Sequence, residues 1–140
     1  MDVHKKEIRS FNMSRIKGKN TKPEMIVRKF LHSKGLRYRL HPENMPGKPD
    51  LYFPKYKTAL EVRGCFWHGH ENCRYYVVPK TRTEWWTEKI SKTKERDYRN
   101  EMFLLSQGIR TIVVWECMLK NEKKEETLAN LFNEITDENV

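Results

Sequence analysis

The spacing of apolar residues changes its period several times, and these changes predict the order of the first elements. After Thr21, which can cap a helix, apolar residues recur at helical spacing until Gly35 ends the pattern. Alternation typical of strands then covers 36–40, 50–53 and 58–63, with 54–57 as a short hairpin connection. This part of the chain is therefore predicted to form one helix followed by three strands.

The remaining pattern predicts a helix, a strand and a last helix. A long helix is expected over about 83–107, a buried strand over 110–115 and an amphipathic helix over 125–135. The predicted fold class is α/β, a mixed sheet flanked by helices in two or three layers. We expect an N-terminal arm or short helix over 1–20 and a single domain over 21–140, with an irregular loop over 64–81.

The net charge of the chain indicates a class of binding partner. The chain has 140 residues, which suits one domain, and a formal net charge of +9. Such a surface favours a nucleic-acid partner over a merely solubilising role. Apolar runs are far shorter than the roughly 20 residues of a membrane span, and the first residues lack the apolar region of a signal peptide. The expected location is cytoplasmic, with no membrane partner.

The cysteines cluster with histidines in a spacing typical of a metal site. The chain has three cysteines, Cys65, Cys73 and Cys117, and an odd number argues against a disulfide framework. With His70 they predict a closed, tetrahedral, structural zinc site. The alternatives are three unrelated buried thiols, or His68 as the histidine ligand in place of His70.

Acidic and basic residues on two adjacent strands predict a second, catalytic metal site. Asp50 and Glu61 would meet across an antiparallel pair and, with the backbone carbonyl of Val62, could bind Mg²⁺ through oxygen. Arg63 lies on the same face as Glu61 and could hold a phosphate or stabilise developing charge. The pattern resembles PD-(D/E)xK nucleases with Arg in the Lys position. The competing interpretation is a turn acceptor at Asp50 and a surface ion pair between Glu61 and Arg63.

Several multi-residue stretches, in order, resemble the very-short-patch mismatch-repair (Vsr) DNA endonucleases from about Arg9 to Leu119. They are Asn12-Met13, Pro46-Gly47-Lys48-Pro49-Asp50, Gly64-Cys65-Phe66-Trp67-His68-Gly69-His70, Pro79-Lys80-Thr81-Arg82, Glu84-Trp85-Trp86, Lys89-Ile90, Glu95-Arg96-Asp97 and Val113-Val114-Trp115-Glu116-Cys117. The resemblance implies a restriction-endonuclease-like fold. It also implies a Mg²⁺-dependent nick in double-stranded DNA beside the T of a T:G mismatch, the product of 5-methylcytosine deamination.

The resemblance also implies roles for individual residues. Asp50 would bind the catalytic metal, with Glu24 and His68 as accessory catalytic groups. Cys65, His70, Cys73 and Cys117 would hold zinc. Phe66, Trp67 and Trp86 would form an aromatic wedge in the DNA stack, with Met13 near the other groove. A wedge favours a mismatch because unstacking costs less there; the alternative for these aromatics is ordinary core packing.

The sequence departs from the family pattern at the catalytic strand. The resemblance implies Phe-Thr-His, the best-known family pattern, where this chain has Glu61-Val62-Arg63, and this difference leaves the number of catalytic metals open. Two other functions remain: a nuclease of the same fold that cuts matched duplex, and a non-catalytic zinc-containing DNA-binding module. The expected state is a monomer, because one nick needs one active site; other repair proteins are possible partners.

Overall fold

The computed structural model describes residues 20–137, which form a mixed sheet with helices on both sides. In chain order the elements are α1 (Lys22–Ser33), β1 (Arg39–Leu40), β2 (Leu51–Phe53), β3 (Thr58–Arg63), α2 (Thr83–Ser106), β4 (Arg110–Trp115) and α3 (Lys123–Thr136). Short 3₁₀ turns cover Pro54–Tyr56 and Glu116–Leu119. The predicted arm over 1–20, including Met13, lies outside the described residues except for Asn20.

The four strands are ordered β1-β2-β3-β4. β2 is antiparallel to β1 and β3, whereas β3 and β4 are parallel, with α2 as the crossover between them. The predicted α/β class and the predicted order of elements are confirmed. β3 and β4 also have the predicted bounds; β3 lies between β2 and β4, and Ile112 and Val114 of β4 are buried in the core.

The core lies between the sheet, α1 and α3. Val27 and Leu31 from α1 pack with sheet residues such as Leu60, and with Leu128 and Leu131 from α3. Since successive strand residues point to opposite faces, the residues beside Leu60 and Val62 face the other way, toward α2. Glu61 and Arg63 are therefore directed to a separate, polar layer between β3 and α2.

The first predicted strand is much shorter than 36–40. The N–H of Leu36 donates to the carbonyl of Leu31 at 3.2 Å, and Gly35 has a φ of +83°. This helix-ending turn uses the backbone of Leu36 as a cap, so that pairing with β2 begins only at Arg39. The helix predicted over 125–135 begins two residues earlier, at Lys123.

The loop between β3 and α2 is irregular, as predicted, and rests against α2 at Gly69. This glycine has a φ of +60°, and a Cβ there would lie 2.5 Å from Lys94 Cε and 2.7 Å from Ile90 Cγ2. Only glycine permits both the left-handed backbone and this close approach. Within residues 20–137, no helix combines the length and apolar character that a membrane-spanning segment needs.

Candidate functional site

Three separate elements bring Glu24, His41 and Asp50 together at one end of the sheet. Glu24 lies in the first turn of α1, His41 directly follows β1 and Asp50 directly precedes β2. One possible ligand atom from each residue lies within 4.8 Å of the others. Two carboxylates and an imidazole at this spacing form a candidate site for a divalent cation.

Glu24 is positioned by the start of its own helix. Thr21 caps α1 by accepting the N–H of Glu24 at 3.3 Å, while Glu24 Oε1 accepts the N–H of Asn20 at 3.1 Å. Arg28, one turn later, donates to Glu24 Oε2 at 3.3 Å. The side chain of Glu24 is 1% exposed, so this residue, for which the resemblance implies an accessory catalytic role, is a buried member of the site.

Asp50 is held by the strand opposite it. Its Oδ2 accepts the backbone N–H of Val62 at 2.7 Å, and the register of Leu51 with Leu60 places Asp50 across from Glu61. Burial raises the pKa of Asp50 from 3.8 to about 7; the bond from Val62 opposes this shift, and repulsion from Glu24 and Glu61 adds to it. A cation would compensate this crowded negative charge.

Glu61 and Arg63 lie on one strand face, as predicted, but belong to an ion-pair group on the α2 side. Arg63 Nη2 lies 3.3 Å from Glu61 Oε2 and 3.0 Å from Glu101 Oε1 on α2. Burial raises the pKa of Glu61 despite the charge of Arg63. Because Arg63 is 7% exposed and engaged by two carboxylates, reaching a phosphate would require it to leave one of them.

His68 is oriented by Asp97 of α2. His68 Nδ1 lies 2.7 Å from Asp97 Oδ2, which leaves Nε2 as the ring nitrogen that can accept or donate a proton toward a substrate. Burial opposes ionisation of Asp97, but the hydrogen bond to His68 and the charge of Arg63 lower its pKa overall. A carboxylate that fixes the ring of a histidine is a common arrangement for proton transfer.

The cysteine cluster follows from the parallel register of two strands. Arg63 of β3 pairs with Trp115 of β4, and Cys65 and Cys117 each follow two residues later. Both thiols therefore lie just beyond the carboxyl ends of β3 and β4, where the N–H of Cys117 lies 3.4 Å from Cys65 Sγ. His70 and Cys73 complete the cluster, with one possible ligand atom from each residue within 4.8 Å of the others.

The four side chains fit a tetrahedral zinc site. Zn–S bonds of about 2.3 Å place two sulfur ligands about 3.8 Å apart, and Cys117 Sγ lies 3.5 Å from His70 Nδ1. Burial raises the pKa of the Cys65 thiol to about 12, so that this thiol ionises readily only beside a cation. The His70 ring stacks on Trp115, with centroids 4.1 Å apart. The structure thus brings His70, and not His68, into the cysteine cluster.

The predicted wedge residues form one aromatic cluster across the loop and α2. Phe66 contacts Trp67 and Trp86, with centroids 5.2 and 5.4 Å apart, and Trp67 lies 5.8 Å from Trp86. Trp67 is 40% exposed and the neighbouring Trp85 is 43% exposed. These rings are outside the core between the sheet, α1 and α3, and Trp67 and Trp85 are exposed to solvent.

Three residues of these groups were missed from the sequence. His41 follows an unremarkable strand, and Asp97 and Glu101 lie on a helix rich in charged residues. A signal exists only for Asp97 and Glu101, which are four residues apart on one helix face.

Sequence comparisons with known proteins identify relatives of this chain. The family model described as "DNA mismatch endonuclease Vsr" matches residues 1–74. The chain is 47% identical over 137 residues to "Type II nicking enzyme V.NmeAIP" of Neisseria meningitidis serogroup A / serotype 4A, with 97% of each chain covered. It is 42% identical over 123 residues, 88% of this chain and 78% of the relative, to "DNA mismatch endonuclease Vsr" of Escherichia coli strain K12.

A third relative is also a nicking enzyme by name. "Type II nicking enzyme V.XorIIP" of Xanthomonas oryzae pv. oryzae is 46% identical over 115 residues, 82% of this chain and 84% of the relative. These similarities span most of the chain, and the matched names are all of DNA-cleaving enzymes. The chain therefore belongs to the DNA mismatch endonuclease Vsr family and is a DNA endonuclease.

Proposed function

We propose that the protein nicks one strand of double-stranded DNA beside the T of a T:G mismatch, with Mg²⁺ as the catalytic cation. The observation that carries the proposal is the group of Glu24 and Asp50, with His41, at the end of a strand pair in a chain of this family. The aromatic cluster of Phe66, Trp67 and Trp86, in which Trp67 is exposed, supports a substrate whose base stack is easily opened.

Asp50 is the central residue in this proposal. Its Oδ2 is committed to the N–H of Val62, which holds Oδ1 ready for a cation. A strand residue presents its N–H and C=O on the same side, so the carbonyl of Val62 is directed to the same region. When bound, Mg²⁺ supplies charge stabilisation at the phosphate and lowers the pKa of water. Glu61, across from Asp50, adds negative charge that favours cation binding.

His68 is assigned the proton transfer that accompanies phosphodiester cleavage. Asp97 holds Nδ1, and Nε2 donates a proton to the leaving oxygen or accepts one from the attacking water. Glu24 orients groups at the cation site from its buried position. Arg63 stabilises the charge of Glu61 in the resting arrangement, and it acts on the phosphate only after exchanging a carboxylate partner.

The cysteine cluster is assigned to structural Zn²⁺. All four positions are filled by Cys65, His70, Cys73 and Cys117, a closed set typical of structural zinc. Such a site would fix the loop that carries Phe66, Trp67 and His68 to the end of β4. We further propose a restriction-endonuclease-like fold, a single domain over 21–140, DNA contact by Met13 in the N-terminal arm over 1–20, and action as a monomer.

A second function is nicking of matched duplex in a defined sequence. The names of the relatives from Neisseria meningitidis and Xanthomonas oryzae, both "Type II nicking enzyme", favour this alternative. It would use the same cation site and the same His68, and it would differ in its demand for a mismatch.

A strand-specific nicking assay separates the two functions. Duplexes labelled on either strand carry T:G, T:A or C:G at one position within varied flanking sequences, and each is incubated with Mg²⁺ or with EDTA. We expect one Mg²⁺-dependent nick beside the T of T:G alone. Equal nicking of T:A or C:G duplexes would establish the second function. Binding without cleavage across all flanks would contradict both and leave a DNA-binding module.

A further inference from the structure

His41 occupies the candidate cation site by way of an unusual backbone conformation. It directly follows the edge strand β1 and has a left-handed φ of +44°. Its N–H donates to the carbonyl oxygen of Asp50 at 3.0 Å, which ties its backbone to the residue that the proposed function places at the cation. This conformation turns the side chain toward the first turn of α1.

The imidazole lies between the two carboxylates of the site. His41 Nε2 lies 3.0 Å from Oε2 and 3.2 Å from Oε1 of Glu24, and 4.0 Å from Oδ1 of Asp50. The side chains of His41, Glu24 and Asp50 are 19%, 1% and 15% exposed. One ring nitrogen is therefore directed at both acidic groups in a largely buried setting.

These separations match those between ligand atoms around a single six-coordinate ion. With bonds of about 2.1 Å, neighbouring ligand atoms lie about 3.0 Å apart and opposite ones about 4.2 Å apart. The observed 3.0 Å to Glu24 and 4.0 Å to Asp50 fall close to these two values. The three side chains can thus reach one cation with small adjustments.

We propose that His41 is a direct ligand of the catalytic cation through Nε2, and that this nitrogen makes the centre bind Mn²⁺ more tightly than Mg²⁺. The inference rests on the proposed function, which places the cation at Asp50. Mg²⁺ strongly prefers oxygen ligands, whereas first-row transition ions accept imidazole. A site of two carboxylates and one histidine therefore differs in selectivity from one built of oxygen alone.

The competing role for His41 is positioning. In that case its ring only donates a hydrogen bond to Glu24 and never contacts the cation. A glutamine at this position distinguishes the two roles, because its side-chain amide can still donate to Glu24 but offers no imidazole nitrogen. His32 lies exposed in the last turn of α1, so His32→Gln provides a matched control for the loss of one histidine.

The experiment measures Mn²⁺ binding directly. Zinc-loaded wild-type protein, His41→Gln and His32→Gln are titrated with Mn²⁺ and free Mn²⁺ is followed by its EPR signal; Mg²⁺ affinity is obtained by competition. Mn²⁺ is a suitable probe because it ranks lowest among these ions for soft ligands and leaves zinc on the thiolates. Pulsed EPR then records any coupling between Mn²⁺ and ¹⁴N.

We expect His41→Gln to bind Mn²⁺ at least about tenfold more weakly, since even outer partners of a metal site have effects of that size. Its Mg²⁺ affinity should stay within about threefold of wild type, because Mg²⁺ gains little from nitrogen. The ¹⁴N coupling should be present in wild type and His32→Gln and absent in His41→Gln. Unchanged Mn²⁺ affinity, or coupling that persists in His41→Gln, would overturn the proposal.

An Asp50→Asn arm separates failure of this inference from failure of the proposed function. If Asp50→Asn loses Mn²⁺ binding while His41→Gln retains its affinity and coupling, the cation lies at Asp50 and only the role of His41 is wrong. If Asp50→Asn binds Mn²⁺ as wild type does, the cation centre itself is misplaced, and the proposed function loses its catalytic site as well.

Discussion

The two candidate metal clusters of this nuclease are built in opposite ways. Three of the four members of the cysteine cluster lie within nine residues, 65–73, and the fourth arrives through the strand register. The carboxylate cluster takes one residue each from α1, the end of β1 and the start of β2. The first is a local chelating loop, whereas the second exists only after the helix and hairpin have packed.

The chemistry of the side chains also differs between the two clusters. Thiolates and imidazole form a closed set that holds an ion without solvent, as structural zinc requires. Carboxylates leave room for water and phosphate oxygen, as a hydrolytic centre requires. We therefore expect the cysteine cluster to govern the stability of the fold and the cluster of Glu24, His41 and Asp50 to govern the rate of nicking.

The largest effect is expected from Cys117→Ser. Removing the ligand that joins the loop to β4 should release the bound zinc and lower the thermal unfolding midpoint by at least ~10 °C, because zinc binding at structural sites contributes directly to folding. Metal analysis and a thermal melt measure both quantities. Met118→Ala, at the partly exposed neighbouring residue, is the control. Full zinc content in Cys117→Ser would exclude the four-ligand site.

Asp50→Asn should reduce rate without reducing stability. The asparagine oxygen can still accept the N–H of Val62, so the fold is retained, but the cation loses its central carboxylate. Loss of several kcal/mol of charge stabilisation corresponds to nicking at least ~1000-fold slower. Single-turnover nicking and DNA binding are measured together. Binding should stay within a few-fold, and retained cleavage would remove Asp50 from the mechanism.

The same variant has a predicted pH signature. The pKa of Asp50 rises from 3.8 to about 7, chiefly through burial, so the unfolded chain releases this proton at lower pH than the folded protein. Stability contributed by the protonated form is complete below about pH 4 and is lost as the pH rises to about 7. Without added divalent cation, Asp50→Asn should therefore melt above wild type at pH 7.5 and close to it at pH 4. A lower melting point at pH 7.5 would contradict the assignment.

Asp97→Asn should have an intermediate effect on rate. Without the carboxylate, His68 loses the charge that orients its ring, and we expect nicking about 10- to 100-fold slower with a shifted pH–rate profile. Glu88→Gln is the matched control, because Glu88 forms an exposed i,i+4 pair with Lys92 on the same helix. An unaltered pH profile in Asp97→Asn would mean that His68 does not transfer the proton.

The smallest effect concerns selectivity. Trp86→Ala should lower the ratio of T:G to T:A nicking by about tenfold, since stacking on an aromatic side chain contributes roughly 1–3 kcal/mol per base. Tyr98→Ala, at an exposed ring elsewhere on α2, should leave the ratio unchanged. Equal losses on both duplexes would assign Trp86 to packing of the loop.

The sequence predicted most of the features that depend on a local pattern of residues or on the burial of apolar side chains. β3 and β4 were predicted with their observed bounds because their apolar runs contain the buried residues Leu60, Ile112 and Val114. The spacing of Cys65, His70 and Cys73 predicted a metal cluster, with His68 left as an alternative to His70. The start of α1 was likewise predicted from Thr21, whose side chain accepts the N–H of Glu24.

What the sequence did not predict depends on tertiary contacts. β1 is shorter than the alternating pattern over 36–40 because the backbone of Leu36 caps the end of α1, and pairing with β2 begins only at Arg39. His41 shows no spacing relation to Glu24, 17 positions away, and only the left-handed turn after β1 brings them together. The contact of His68 with Asp97 spans 29 positions, and no pattern in a single sequence encodes such a pairing.

The register of β3 and β4 has a consequence for the order of folding. A parallel pair separated by a long helix closes late, because its partners are distant along the chain. A one-residue slip would turn Cys117 away from the loop, so an ion already chelated by the loop residues would capture this thiol only in the native alignment. We therefore expect zinc binding during folding to favour the native alignment of β3 and β4 over misaligned pairs.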